Sequence, residues 1–167
     1  MTHTLLNAGP WKEATVVSAG DVPLAVVKHH DATIGQLPDL LAKGFEAAAA
    51  GIEQAGLKAT GPGLAIYEGD LDAEFELKVG FPVDHVLDPA VEMDGTWVEA
   101  GELPNYKLVI QSVYGDYDKI QDHWATLMER VAEMGLVIGT KAGEVYQTSL
   151  GSTEPDSRTD LFLEILQ

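Results

Sequence analysis

The chain repeats itself once, and the repeat limits what it can fold into. Aligning Gly56-Leu57 with Gly135-Leu136 places Tyr67 on Tyr146 and Ala65 on Glu144, a constant separation of 79 residues. Further upstream, from Val27 to Ile110 and from Ile34 to Tyr117, the separation reads as 83. An insertion of about one helical turn in the first copy accounts for the difference. A chain built from two copies is a paired domain rather than a solenoid, which needs at least three repeats to bury its faces.

Each copy reads as strand, helix, strand, strand. The first helix begins near Thr33, where Thr33 and Gln36 have capping-box spacing. Its apolar stripe runs Leu37, Leu40, Leu41, Phe45, Ala48, Ala49, Ile52, and Gly56 stops it. The second begins near Asp116 or Asp118, carries Ile120, Trp124, Leu127, Met128, Val131 and Met134, and stops at Gly135. Such one-sided stripes suit helices lying on a sheet. The strands are "VPLAVVKHH" (22–30), "GLAIYEG" (63–69) and "EFELKVGFPV" (74–83) in one copy. In the other they are "NYKLVIQSVYG" (105–115), "GEVYQTS" (143–149) and "TDLFLEIL" (159–166). The expectation is one α+β domain over 1–167: repeat one at about 14–83, a connection at about 84–95, and repeat two at about 96–167. Antiparallel sheets would carry the helices on one side.

Composition narrows the functions. With 46% hydrophobic and 22% charged residues the chain is an ordinary folding sequence. No apolar run approaches the length of a membrane span, and the N-terminus lacks a secretory pattern. The absence of cysteine excludes disulfides and thiolate chemistry and fits a reducing cytoplasm, the expected location. A formal charge of −17 repels phosphate backbones and attracts small cations, so direct nucleic-acid binding is not expected.

One exchange between the copies bears on chemistry. Strand alternation puts Glu144, Tyr146 and Thr148 on one face, where the first copy has Ala65 and Tyr67. If that face is enclosed, Glu144 needs a cationic or hydrogen-bonding partner; if it meets water, Glu144 is an ordinary surface acid. Aromatic residues gather in the second half: Trp97, Tyr106, Tyr114, Tyr117, Trp124, Tyr146 and Phe162. They could stack on a cation, or simply form core. His29 and His30 are adjacent, point to opposite strand faces, and are not expected to share a metal. No phosphate loop or nucleophile elbow occurs, and no metal or cofactor is expected.

The stretch "VYGDYDKIQDHWATLMERVAEMGL", then "GEVYQT", then "TDLFLEI", within a doubled strand–helix–strand–strand chain, resembles the GyrI-like small-molecule-binding domain. That domain is also the effector-binding part of multidrug-responsive and AraC-type transcription regulators. The resemblance implies a ligand pocket between the repeats, with Glu144 meeting the cationic part of lipophilic aromatic compounds. Tyr146, Tyr114, Tyr117, Trp124, Tyr67 and Trp97 would line it. No DNA-binding module is evident, so a stand-alone multidrug-binding member is expected. Some relatives hydrolyse strained cyclopropane rings of DNA-alkylating natural products; in that alternative Glu144 would be the general base and a tyrosine such as Tyr146 or Tyr114 a hydrogen-bond donor. A third reading, contact with DNA gyrase, ranks last because no local feature marks such a surface.

Overall fold

A computed structural model describes residues 9–18, 22–69, 73–103, 107–115, 120–147 and 157–166. Two compact units emerge, both α+β with antiparallel strand pairing. The first holds β2 (Val22–Ala32), α1 (Leu37–Gln54), β3 (Leu64–Gly69), β4 (Phe75–Pro82), β5 (Val91–Met93) and β6 (Thr96–Leu103). The second holds β1 (Thr15–Ser18), β7 (Lys107–Tyr114), α2 (Ile120–Glu133), β8 (Val137–Tyr146) and β9 (Arg158–Leu166). Among the described residues no helix is long and apolar enough to cross a membrane.

The duplicated connectivity is visible in strand order. In the first unit β4 lies between β3 and β2; in the second, β9 lies between β8 and β7. Each unit then adds its own edge. The first gains β6 on β2 and β5 on β6, and the second gains β1 on β7. Residues 15–18, counted by sequence with the first repeat, therefore pair in the second unit. The strand 96–103, counted with the second repeat, pairs with β2 of the first. Strand pairing between distant segments carries no local signature, so boundaries drawn from the repeat alone miss these edges.

Register also corrects the alignment of the early segments. Ala65 faces Val79, which faces Val27; Glu144 faces Leu161, which faces Gln111. The counterpart of Val27 is thus Gln111 rather than Ile110, a separation of 84 rather than 83. A one-residue slip exchanges the two faces of a strand. It passes unnoticed in β7 because Leu108, Val109 and Ile110 are all fully buried, which removes the alternation that would expose it.

α1 starts, and both helices stop, as the sequence indicates, whereas the α2 start expected at Asp116 or Asp118 lies outside the described residues. Thr33 is extended, and its N–H donates to the Gln36 side-chain oxygen at 3.2 Å, starting a short 3-10 turn that runs into α1. At the other end Gly56 takes φ +75°, and the Leu57 N–H reaches back to the Ile52 carbonyl at 3.0 Å. Gly135 (φ +74°) and the Leu136 N–H to the Val131 carbonyl at 3.3 Å repeat this closure in α2.

The stripes are narrower than expected. Ala49, Met128 and Met134 are exposed, while α1 buries two glycines instead. A Cβ at Gly44 would stand 2.9 Å from the Val79 side chain, and one at Gly51 would stand 2.8 Å from Val98. Two turns apart on one face, these glycines let the helix rest directly on β4 and β6. Ala48 and Ile52 then close a core with Ala25, Val27, Val83, Leu87 and Val98. In the second unit Ile120, Trp124, Leu127 and Val131 of α2 pack on Val109, Val113, Leu161, Leu163 and Ile165.

The stretch 84–95, expected as plain connection, contains β5 and a hairpin turn. Asp94 (φ +51°) and Gly95 (φ +83°) join Met93 to its partner Thr96. An Asp-Gly pair is a strong short-range hairpin signal, and it was present in the sequence to be read.

Candidate functional site

Register defines the face that Glu144 occupies. Glu144 faces Leu161 and Tyr146 faces Thr159 on β9; Leu163 and Ile165 follow on the same side. Those leucine and isoleucine side chains belong to the core under α2. Glu144 and Tyr146 therefore point toward the helix, and Glu144 is 1% exposed. It is not a surface acid.

Its carboxylate is held from two directions. The Tyr146 hydroxyl donates to Oε1 at 2.5 Å, and the Trp124 indole N–H donates to Oε2 at 2.8 Å. The first bond follows from alternation, since residues two apart on a strand share a face. The second depends on packing: Trp124 lies one turn into α2 and lowers its ring onto β8. Charge-assisted bonds of this kind are short and about twice as strong as neutral ones. The tyrosine hydroxyl and the indole N–H are both neutral donors, and together they fix the orientation of the carboxyl group.

The repeat sets this arrangement beside an apolar counterpart. Helix positions Leu41 and Ile120, Ala48 and Leu127, and Ile52 and Val131 are buried pairs separated by 79 residues. The same separation matches Phe45 to Trp124 and Ala65 to Glu144. In the first unit Ala65 is fully buried, and the Phe45 ring packs edge-on against Phe81 with centroids 5.5 Å apart. The second copy thus exchanges both members together, Phe–Ala for Trp–Glu. An acid enters only where a donor enters opposite it. Phe45 was legible as a helix-stripe residue, but its correspondence to Trp124 needed the offset carried back through both helices.

The remaining candidates divide. Glu144, Tyr146 and Trp124 are brought together. Tyr114 faces Arg158, which shares a side with Asp160; that is the sheet face opposite Glu144, and Tyr114 is 46% exposed. Tyr67 belongs to the first unit, on the α1 side of β3, where its ring meets Phe75 edge-on at 5.7 Å. Trp97, expected among the second-half aromatics, lies on β6 of the first unit, on the face away from α1 and 53% exposed. Tyr117 and Thr148 lie outside the described residues.

The two neighbouring histidines do separate. His29 faces Leu77 on the α1 side of β2, whereas the exposed His30 approaches Glu76 with its Nδ1 at 3.0 Å from the carboxylate. Burial, with a smaller contribution from His30, holds the His29 pKa below its ordinary value. Its Nε2 is buried with no hydrogen-bond partner among the described residues.

No family model matches the sequence, and no curated protein is detectably similar to it. Solved structures do match. The C-terminal domain of EcmrR superposes with a TM-score of 0.72 at 13% identity, over 93% of this chain and 98% of that one. EcmrR in its complex with DNA matches over 57% of its chain, with a TM-score of 0.70. SAV2435 bound to tetraphenylphosphonium matches with a TM-score of 0.65 at 14% identity, over 92% of this chain and 94% of that one. A hydrolase encoded by lin2189 from Listeria innocua gives 0.65 at 14% identity, over 94% and 93%. At these identities the likeness is one of fold. The fold is GyrI-like.

Proposed function

We propose that this chain is a GyrI-like small-molecule-binding protein that recognises lipophilic aromatic cations through Glu144. The observation that carries the reading is the buried carboxylate with a neutral donor on each oxygen. A buried anion of this kind favours an arriving positive charge strongly, because attraction grows as water is excluded. The donors on Oε1 and Oε2 disfavour ligands that must chelate the carboxylate with several N–H groups. They favour cations whose charge is spread over an apolar body. The rings of Trp124 and Tyr146, both buried beside the carboxyl group, would flank such a body once it enters. Tetraphenylphosphonium, the compound bound by SAV2435, has this character: a positive charge, four phenyl rings and no N–H donor.

The test compares a planar cationic dye with a neutral dye of similar size in fluorescence titrations. Glu144→Gln is expected to weaken the cation about tenfold or more while changing the neutral dye far less, since only one of them loses a charge–charge attraction. Equal losses for both dyes would refute the assignment.

The likeness to the Listeria hydrolase supports a second reading, in which the same pair turns over a ligand. Glu144 would draw a proton from a water whose oxygen bonds to a cyclopropane carbon as a ring carbon–carbon bond breaks. The electron pair would pass to a conjugated carbonyl oxygen, toward which the Tyr146 hydroxyl would turn from Glu144. Tyr114, on the other sheet face, is not placed for that role. Incubating a cyclopropane-bearing DNA alkylator with excess protein and finding no product heavier by one water would exclude this reading for that compound.

A further inference from the structure

The sheet face of the second unit that turns away from α2 buries an acid that the site does not use. Asp160, fully buried, stands between Val145 of β8 and Ser112 of β7 in the strand register. Its Oδ1 accepts the Ser112 hydroxyl at 2.6 Å and the Arg158 Nε–H at 2.9 Å. Its Oδ2 accepts Arg158 Nη2–H at 2.9 Å and the Gln147 side-chain amide at 3.1 Å. Ser112 in turn accepts the Trp11 backbone N–H and donates its own N–H to the Trp11 carbonyl, both at 2.8 Å.

Gln147 is the link that matters for the site. It follows Tyr146 directly, at the point where β8 leaves the sheet, and its N–H turns back to the Val145 carbonyl at 3.2 Å. A strand end of this sort is the least constrained part of a ladder. Yet it carries the tyrosine whose hydroxyl must stay 2.5 Å from Glu144. The Gln147 amide pins that end to Asp160 from the opposite face. Because the Asp160 carboxylate is also bonded to Ser112 and Arg158, the acceptor that Gln147 meets is itself held in place.

We infer that Asp160 and Gln147 are positioning residues: through the end of β8 they set Tyr146 against Glu144. The consequence for ligand choice rests on the proposed function, whereas the positioning itself does not. Gln147→Met keeps the side-chain length and removes the donor. In proton–nitrogen spectra the Trp124 indole N–H, assigned by its loss in Trp124→Phe, reports on the shared carboxylate without any ligand. Gln147→Met is expected to move that resonance in the same direction as Tyr146→Phe. It should also lower the cation-to-neutral dye affinity ratio about three- to tenfold, the worth of one ordinary hydrogen bond. In the double variant Gln147→Met/Tyr146→Phe the ratio should change less than about twofold beyond Tyr146→Phe alone, because both act through one contact. Asp160→Asn should shift the resonance the same way. A Gln147→Met protein whose indole resonance matches that of the wild type overturns the inference. If the resonance moves but the wild type shows no preference for the cation, positioning stands and the ligand reading falls.

Discussion

At the scale of single residues, Glu144 illustrates how much of a site alternation can reveal. Its shared face with Tyr146 follows from a period of two, and the bond between them is local. That Trp124 supplies the second donor follows from the helix stripe once the helix lies on the sheet. The neighbours of Tyr114 in "VYGDY" say nothing about face, and only pairing with Arg158 puts it on the side opposite Glu144. Asp160 is hidden for a similar reason: "TDLFLEIL" has two acids on one strand face, Asp160 and Glu164, and nothing local marks the first as fully buried. Its burial depends on Ser112, Gln147 and Arg158 converging from β7, from the end of β8 and from its own strand. Asp160→Ala leaves that arginine and those donors without their acceptor and should cost about 3 kcal/mol in urea unfolding. His29 supplies a pH test. Its folded pKa lies below the unfolded one, so the unfolded chain binds the proton more readily. Stability is fully present above the ordinary histidine value and is lost as pH falls below it. The wild-type melting temperature should drop on going from neutral toward mildly acidic pH, and less steeply in His29→Asn.

At the scale of elements, the helix termini were the most readable features. Capping and Gly stops act within a few residues, so Thr33, Gly56 and Gly135 could be placed before any fold was known. The buried glycines of α1 could not. In isolation Gly44 and Gly51 look like weak points in a helix, whereas against β4 and β6 they are the contact surface. Gly44→Leu should therefore destabilise the chain by about 1–3 kcal/mol in thermal unfolding despite raising helix propensity. Ala at the same position sets the scale of a single added methyl group. A stabilised Gly44→Leu protein would show that α1 does not rest on β4 as described. The slip in β7 has the opposite cause: when every neighbouring residue is buried, apolarity marks burial without marking the side.

At the scale of the whole molecule, the charge of −17 acts over distances that no single contact reaches. Its field should speed the approach of cationic ligands and be screened by salt. Raising ionic strength from about 0.01 M to about 0.2 M is expected to slow association of a cationic dye severalfold in stopped flow and leave a neutral dye unchanged. Matching slopes for the two dyes would exclude steering. The duplication, the helix limits and the Ala–Glu exchange were available in the linear order of residues, because each rests on interactions within a few positions or on comparison of one copy with the other. The edge strands β1 and β6, the face of Tyr114 and the Asp160 hub were not. They arise where segments far apart in the chain pair, and the side a strand residue faces is decided by the partner's register rather than by its own neighbours.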